Sequence, residues 1–152
     1  MPYEVTIART VECPTAVVRA NTSRREFPTL WPTMLDEVWH FLAETPSLLT
    51  EGHNVMLYSN DVSDAEFAVE VGVQVSGSFE AAGRVVSSTL PSTEVARTVH
   101  SGRTAEIGGA HDAVRAWCLA ERRELTGVRW EIYGDPDPQT GHFVVEVYWQ
   151  LA

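Results

Sequence analysis

Two carboxylates in the most apolar and aromatic part of the chain are the side chains best suited to chemistry. Glu131 lies between Trp130 and Tyr133, and Glu146 precedes Tyr148 by two residues. A charged residue among strand-forming aromatics costs stability unless it is paired or faces a functional cavity. A carboxylate in an aromatic cavity attracts an organic cation, and the rings add cation–π contact and apolar area.

Strand geometry decides whether these side chains can meet. Arg129, Glu131 and Tyr133 share one face of a strand, and Glu146 and Tyr148 share one face of the next. Antiparallel pairing would bring the two polar-aromatic faces together and leave the alternate residues of the last strand under the helices. Periodicity equally allows both glutamates to face water or to pair with arginine.

The elements that position these residues follow from periodicity. Alternation with period two predicts strands, and apolar residues at steps of three and four predict helices. The predicted strands span residues 3–10, 15–23, 54–61, 67–75, 83–89 and 93–102, with two more after residue 128. The predicted helices span residues 27–42 and about 105–125. The order is therefore strand, strand, helix, strand, strand, twice over.

The second half of the chain repeats the first at residue level. The segment "FAVEV" from Phe67 matches "FVVEV" from Phe143, which pairs Glu70 with Glu146, and a further match pairs Tyr58 with Tyr133. We therefore predict one α+β domain over residues 1–152, with pseudo-repeats at about 3–76 and 79–152. It would form a pseudo-two-fold, curved antiparallel sheet with two main helices and a central ligand cleft.

Composition limits the partners. The 152 residues carry a formal net charge of −10, and all 11 basic residues are arginine. An acidic surface disfavours nucleic acid and anionic membranes, and it mildly favours cationic ligands. Cys13 and Cys118 are too far apart for a metal motif, and no signal or membrane-spanning pattern is present. We predict a cytoplasmic protein with reduced thiols, no cofactor, no metal, no direct nucleic-acid contact and no membrane contact.

The other residue types that could bind a metal, line a pocket or contact DNA form weaker patterns. The five histidines show no metal-ligand spacing, and His111 beside Asp112 is expected on a helix surface. We expect the tryptophans at 31, 117, 130 and 149 in the core or in a pocket wall. No helix-turn-helix pattern or basic patch is visible, so we expect no DNA-binding activity in this chain.

The order of elements and the C-terminal "WEIYGDPD…FVVEVYW" resemble the GyrI-like effector-binding domain. That family supplies the ligand-binding module of many multidrug-sensing regulators and also exists as stand-alone proteins. The resemblance implies a central pocket that binds bulky aromatic, often cationic compounds around a buried glutamate. It assigns Glu131 as the countercharge. The other ligand-binding positions that it implies are Tyr133, Glu146, Tyr148, Tyr58, Trp39 and Glu70.

Three functions remain open from the sequence. The first is binding of bulky aromatic, cationic or planar compounds, for sequestration or sensing. The second, implied by stand-alone members of the family, is hydrolysis of strained cyclopropane rings in DNA-alkylating natural products, with Glu131 or Glu146 as general base. The third is modulation of gyrase through protein contact. A regulator or gyrase partner and the oligomeric state stay open.

Overall fold

A computed structural model describes residues 3–59 and 66–152. Eight strands and two α-helices are present in these residues, with single 3₁₀ turns at Pro46–Leu48 and Thr104–Glu106. In chain order they are β1 Thr6–Arg9, β2 Cys13–Thr22, α1 Phe27–Glu44, β3 Asn54–Ser59, β4 Phe67–Gln74, β5 Val85–Leu90, β6 Glu94–Gly102, α2 Gly108–Ala120, β7 Leu125–Pro136 and β8 Phe143–Leu151.

All eight strands form one antiparallel sheet in the order β1-β6-β8-β7-β3-β4-β2-β5. The order is symmetric about its centre, where β7 and β3 are neighbours. From one end the order reads β5-β2-β4-β3, and from the other end it reads β1-β6-β8-β7. The edge strand β5 therefore lies beside strands of the first half of the chain, and the edge strand β1 lies beside strands of the second half. The predicted α+β class with a pseudo-two-fold sheet and two helices is confirmed. The boundaries of the two pseudo-repeats stay a prediction.

Each helix covers its own half of one face of the sheet, here called the helix-covered face. The alternating residues of β4 pack against α1, where Val38 and Leu42 are fully buried. The odd-numbered residues of β8, Val145 to Leu151, pack with α2 around Val114, as predicted. Burial of each such side chain contributes about 1.5–3 kcal/mol, so period-two and period-3.6 patterns together stabilise this layer.

The other side of the sheet, here called the opposite face, is concave. β5 lies at one edge and β6 lies next to the other edge, yet only residues 91–93 connect them. The Thr10 N–H donates to the Thr93 carbonyl (2.9 Å), which ties the β1–β2 link to the β5–β6 link. Such short links require the sheet to curl. The curl buries a third apolar cluster of Val55, Leu90, Val95 and Trp130 on this face.

Several predicted boundaries shift. The second helix ends at Ala120, not near residue 125, because Arg122 adopts a left-handed φ of 58° and the Arg123 N–H donates to the Cys118 carbonyl (2.8 Å). Leu125 therefore begins β7. The first strand is also shorter than predicted. The end of the strand predicted at 54–61 falls outside the described residues.

No helix in the described part of the chain is long and apolar enough to cross a membrane.

Candidate functional site

A cavity of about 830 Å³ lies between the two helices, above the central strands β3 and β7. It exists because α1 packs mainly on β2 and β4, and α2 mainly on β6 and β8. Its volume is typical of small-molecule sites. This central cavity is lined by Arg24, Phe27, Pro28, Trp31, Leu35, Asn54, Met56, Tyr58, Phe67, Thr104, Ala105, Ile107, Gly108, His111, Asp112, Arg115, Arg129, Glu131, Tyr133, Phe143 and Trp149.

Glu131 is the buried carboxylate of the central cavity and is only 2% exposed. Its Oε1 accepts hydrogen bonds from the hydroxyls of Tyr58 (2.9 Å) and Tyr133 (2.7 Å). Tyr133 lies two residues along the same strand face, and Tyr58 comes from the adjacent β3. These are the two tyrosines that the sequence repeat matches, so both halves of the chain contribute one phenol to a single acceptor.

His111 on α2 forms the third hydrogen bond to this carboxylate. Glu131 Oε2 lies 2.6 Å from His111 Nε2, and Trp149 Nε1 lies 2.9 Å from His111 Nδ1. The indole N–H can only donate, so Nδ1 is the acceptor and the imidazole proton sits on Nε2. His111 is therefore neutral and donates to Glu131. The carboxylate accepts three hydrogen bonds, which offset the cost of burying its charge.

The two phenols remain protonated donors. Burial, followed by the charge of Glu131, raises the pKa of Tyr58 well above its ordinary value. The same two causes raise the pKa of Tyr133. Both hydroxyls therefore keep their protons at physiological pH and stay directed at the carboxylate.

Guanidinium groups lie over two of the aromatic rings that line the central cavity, those of Tyr58 and Trp149. Arg129 lies over the rings of Tyr58 (5.5 Å) and Trp149 (5.4 Å). Arg115 on α2 also lies over the Trp149 ring (5.7 Å) and forms an ion pair with Asp112. Burial lowers the pKa of Arg129. The site therefore combines one buried carboxylate with cations that already occupy ring faces.

Glu131, Tyr133 and Tyr58 are brought together as expected, whereas Glu146 and Tyr148 lie elsewhere. Glu131 is paired with Val147 and Ile132 with Glu146, so the even-numbered residues of β8 point to the opposite face. There Glu146 accepts from Arg97 (3.2 Å), and Tyr148 stacks on a tryptophan of β7. The expectation that the two polar-aromatic faces meet is wrong, because the register places them on different sides.

Glu70 and Trp39 do not line the central cavity either. Glu70 lies on the opposite face and accepts from Arg19 (2.9 Å) and from Ser88 (2.7 Å). Trp39 is 41% exposed and donates to Oδ1 of Asn54 (3.0 Å), a residue that lines the cavity. The Arg19–Glu70 pair and the Arg97–Glu146 pair mentioned above occupy matched positions of the repeat, which indicates a shared structural role.

His111 is the main residue of the candidate site that the sequence interpretation missed. It was expected on the helix surface, but its side chain is only 16% exposed. A signal for this burial was present: His111 follows Ile107 by four residues and precedes Val114 by three, which places it on the apolar stripe. Trp149, predicted in the core or in a pocket wall, belongs to the core cluster under α2 and also lines the central cavity.

The donor set does not support a metal site. In residues 3–59 and 66–152, no group of three or more histidine, cysteine, aspartate and glutamate side chains could hold a metal ion. The chemistry available in the central cavity is hydrogen bonding, ring stacking and charge.

Fold and site together define an α+β protein with a small-molecule-sized cavity between two pseudo-symmetric halves. Solved structures with this architecture include the EcmrR C-terminal domain, at 17% identity and a TM-score of 0.81, covering 100% of this chain and 99% of that one. SAV2435 bound to tetraphenylphosphonium matches at 11% identity and a TM-score of 0.67, covering 100% and 94%. A hydrolase encoded by lin2189 from Listeria innocua matches at 10% identity and a TM-score of 0.60, covering 99% and 93%.

These likenesses support a GyrI-like fold for this chain. No family model matches the chain, and no curated protein matches it.

Proposed function

We propose that this protein binds bulky aromatic small molecules in the central cavity, in order to sequester or sense them. The observation that carries the proposal is the cavity of about 830 Å³ with aromatic walls and the Glu131 network at its base. The ligand-bound SAV2435 structure supports the same use of this fold.

The walls and the base would contribute differently to binding. Trp31, Phe27, Phe67 and Phe143 offer ring surfaces for stacking and apolar burial, which supply most of the binding free energy of a drug-sized ligand. The Glu131 network is held by hydrogen bonds before a ligand arrives. Such a rigid base reduces the entropy lost on binding and orients the polar groups of the ligand.

A tryptophan-fluorescence titration with planar and bulky aromatic compounds tests the proposal. Trp31 and Trp149 line the central cavity, so a bound aromatic compound is expected to quench them in a saturable manner. Gly108 lines the cavity with open space where a Cβ would stand, so Gly108→Phe is expected to lower the affinity at least tenfold.

Gly77→Phe is the matched control, because Gly77 also has open space around its Cβ position but lies outside the cavity. Equal affinities for both variants would contradict the proposal.

Hydrolysis is the second candidate function. It is favoured by the one carboxylate lone pair that remains unused: of about four acceptor positions, Oε1 receives two donors and Oε2 receives one. A water on Oε2 could give one proton to Glu131 while its oxygen forms a bond to an electrophilic ring carbon of the ligand. The strained ring bond at that carbon breaks, its electron pair passes to the rest of the ligand, and Glu131 returns the proton to that fragment, so that one water is added in total. The hydrolase with the same fold supports this candidate. The resemblance to stand-alone GyrI-like proteins points to a strained cyclopropane ring as the substrate group.

Mass spectrometry separates turnover from binding. A compound that binds is incubated with the protein in ¹⁸O-water, and hydrolysis is expected to add one water containing the label. Glu131→Gln is expected to stop the reaction. Glu146→Gln, on the opposite face, is expected to leave it unchanged. Intact ligand after many binding lifetimes would reject the hydrolase function and leave the binding function standing.

A further inference from the structure

We propose that the central cavity selects elongated aromatic compounds that are apolar at one end and polar at the other, and that it binds them in one orientation. The fused rings lie against α1, and the polar end lies beside Glu131 and His111. The inference rests on the proposed binding function, and it names the ligand class and its direction in the site.

The pseudo-two-fold axis of the sheet passes beside Met56 and Glu131. These two residues are direct partners across β3 and β7. Tyr58 follows Met56 by two residues, and Tyr133 follows Glu131 by two residues. A two-fold rotation about the Met56–Glu131 pair therefore exchanges the two tyrosines that the sequence repeat matches. Met56 and Glu131 are equivalent positions of the repeat, one with a thioether and the other with a carboxylate.

The helices contain a second exchange of an apolar for a polar residue. The segment "LDEV" from Leu35 on α1 matches "HDAV" from His111 on α2. Leu35 and His111 are therefore equivalent positions of the repeat, and both line the central cavity. In each exchange the polar residue belongs to the half of the molecule that contains α2.

The cavity wall formed by the first half of the chain, here called the α1 side, is mainly apolar. Its apolar lining residues are Phe27, Trp31, Leu35, Met56 and Phe67. The rings of Phe27 and Phe67 meet edge to face at 5.8 Å, a favourable aromatic contact that holds this wall in place. The polar lining residues Asn54 and Arg24 are already engaged, since Asn54 accepts from Trp39 and Arg24 has an interaction of its own.

The wall formed by the second half of the chain, here called the α2 side, is mainly polar. Its lining residues include His111, Asp112, Arg115, Glu131 and Trp149. Arg115 and Arg129 both lie over the Trp149 ring, so a ligand ring that stacked there would compete with guanidinium groups. In the described part of the chain, the cavity rings that carry a guanidinium are those of Tyr58 and Trp149, and the rings of Phe27, Trp31 and Phe67 carry none.

The two sides differ in the free energy that they give to a ligand ring. A fused ring system gains free energy in proportion to the apolar area that it removes from water, and the α1 side provides that area. Against the α2 side, the same rings would remove water from charged and hydrogen-bonding groups without replacing the lost hydrogen bonds. A polar end can replace them. The difference between the sides therefore fixes the direction of the ligand.

Intermolecular nuclear Overhauser effects in the wild-type protein measure this direction. The probe is N-methylanthracene-2-carboxamide, whose ring protons and N-methyl protons report its two ends. We expect the ring protons to contact the methyl groups of Met56 and Leu35, and the N-methyl protons to contact the methyl groups of Ile107 at the start of α2.

The reverse pattern, or equal contacts of both ends with both sides, would overturn the inference and leave the proposed function intact. Failure of this probe to bind, while other aromatic compounds quench the tryptophans, would also overturn the inference alone. If no aromatic compound binds, both the inference and the proposed function are wrong.

Three phenylalanine-to-leucine variants assign the ring-binding wall. Phe67 lies on the α1 side, Phe143 is its match in the repeat and lines the cavity from the second half, and Phe79 packs on Phe41 outside the cavity. All three substituted side chains are half-buried, so the substitutions are comparable. Calorimetry gives the ratio of the affinity for N-methylanthracene-2-carboxamide to that for N-methylbenzamide, which isolates the contribution of the added rings.

Phe67→Leu is expected to reduce this ratio about fivefold or more, because it removes an aromatic contact with the added rings. Phe143→Leu is expected to reduce the ratio by a smaller factor, and Phe79→Leu is expected to leave it unchanged. A fall in Phe143→Leu equal to or larger than that in Phe67→Leu would contradict the orientation, as would an equal fall in Phe79→Leu.

Discussion

At the scale of single residues, the central cavity depends on a chain of donors that ends at one carboxylate. Trp149 donates to His111, His111 donates to Glu131, and Tyr58 and Tyr133 donate to the other oxygen of that carboxylate. Each group has one available role, since the indole can only donate and the ionised carboxylate can only accept. A change at any position therefore leaves a specific polar atom without a partner.

Glu131→Gln is expected to lower the free energy of unfolding by about 1–3 kcal/mol, the usual cost of an unsatisfied buried polar group. If the new amide oxygen faces the tyrosines, its NH₂ group meets the Nε2–H of His111. The imidazole cannot move its proton to Nδ1, because Trp149 donates there. Urea unfolding, monitored by circular dichroism, measures the loss.

Glu146→Gln is the control for this substitution, because it removes a carboxylate from a partly exposed ion pair with Arg97. Such pairs contribute at most about 1 kcal/mol. In a Trp149→Phe background, His111 is free to move its proton, so Glu131→Gln is expected to cost less there than in the wild type. Equal small losses for both glutamines, with no coupling, would show that the hydrogen-bond chain has no energetic role.

The tautomer of His111 is a second residue-scale prediction. Nitrogen-15 NMR of the imidazole is expected to show the Nε2–H form, because Nδ1 accepts from Trp149. Trp149→Phe removes that donor, and both tautomers should then appear. His100 serves as the reference in the same spectrum, since its Nε2 donates to the Arg103 carbonyl and its Nδ1 accepts from Tyr3. A spectrum of His111 that does not respond to Trp149→Phe would contradict the assignment.

At the scale of elements, the pairing of strands decides which side chains reach the central cavity. Glu131 pairs with Val147 across β7 and β8, and Met56 pairs with Glu131 across β3 and β7. A shift of either pairing by one residue would transfer a whole strand to the other face. The cavity therefore depends on the register of each strand pair, including the pairing of β4 with β2.

Gly72→Ala probes that packing. A Cβ on Gly72 would lie 1.8 Å from the Ala16 carbonyl oxygen and 2.8 Å from the Val17 Cα, and neither backbone atom can move without disturbing β2. We expect a loss of about 1–3 kcal/mol in the free energy of unfolding, as for other overpacked sites. Gly77→Ala, with open space at its Cβ position, is expected to stay within about 0.5 kcal/mol of the wild type. Equal stabilities of the two variants would refute the close approach of β2 and β4.

At the scale of the whole molecule, three half-buried tyrosines make the stability of the fold depend on pH in the alkaline range. Burial and a neighbouring glutamate raise the pKa of Tyr58, Tyr133 and Tyr148 in the folded protein. Their protons are therefore held more tightly in the folded than in the unfolded chain. This stabilisation is complete below the unfolded value of about 10 and is lost as the pH rises above it.

We expect the urea midpoint to fall steeply above about pH 10, with tyrosinate absorbance at 295 nm rising together with unfolding. A Tyr58→Phe/Tyr133→Phe double variant is less stable at neutral pH but is expected to lose less on the way to pH 11. Tyrosinate that forms near pH 10 without loss of structure would contradict the burial of these phenols.

The sequence alone was sufficient for features that depend on local order. Period two along Phe67–Gln74 and period 3.6 along Phe27–Glu44 place apolar residues on one side of each element, and the structure confirms both. The matched segments of the two halves predicted the pseudo-two-fold sheet. The carboxylate with two phenols, Glu131, Tyr133 and Tyr58, was also accessible, because a charged residue within an aromatic strand requires partners.

Only the tertiary structure decided which faces meet. Alternation shows that Glu146 and Tyr148 share a face, but only the register with β7 shows that this face lies away from Glu131. Likewise, helical spacing places His111 on an apolar stripe, but only the packing of α2 on the sheet puts its Nε2 beside the carboxylate. Local sequence determines periodicity. Contacts between distant strands and helices determine the strand register and the sheet face on which each side chain lies. Those contacts depend on the packing of the whole chain.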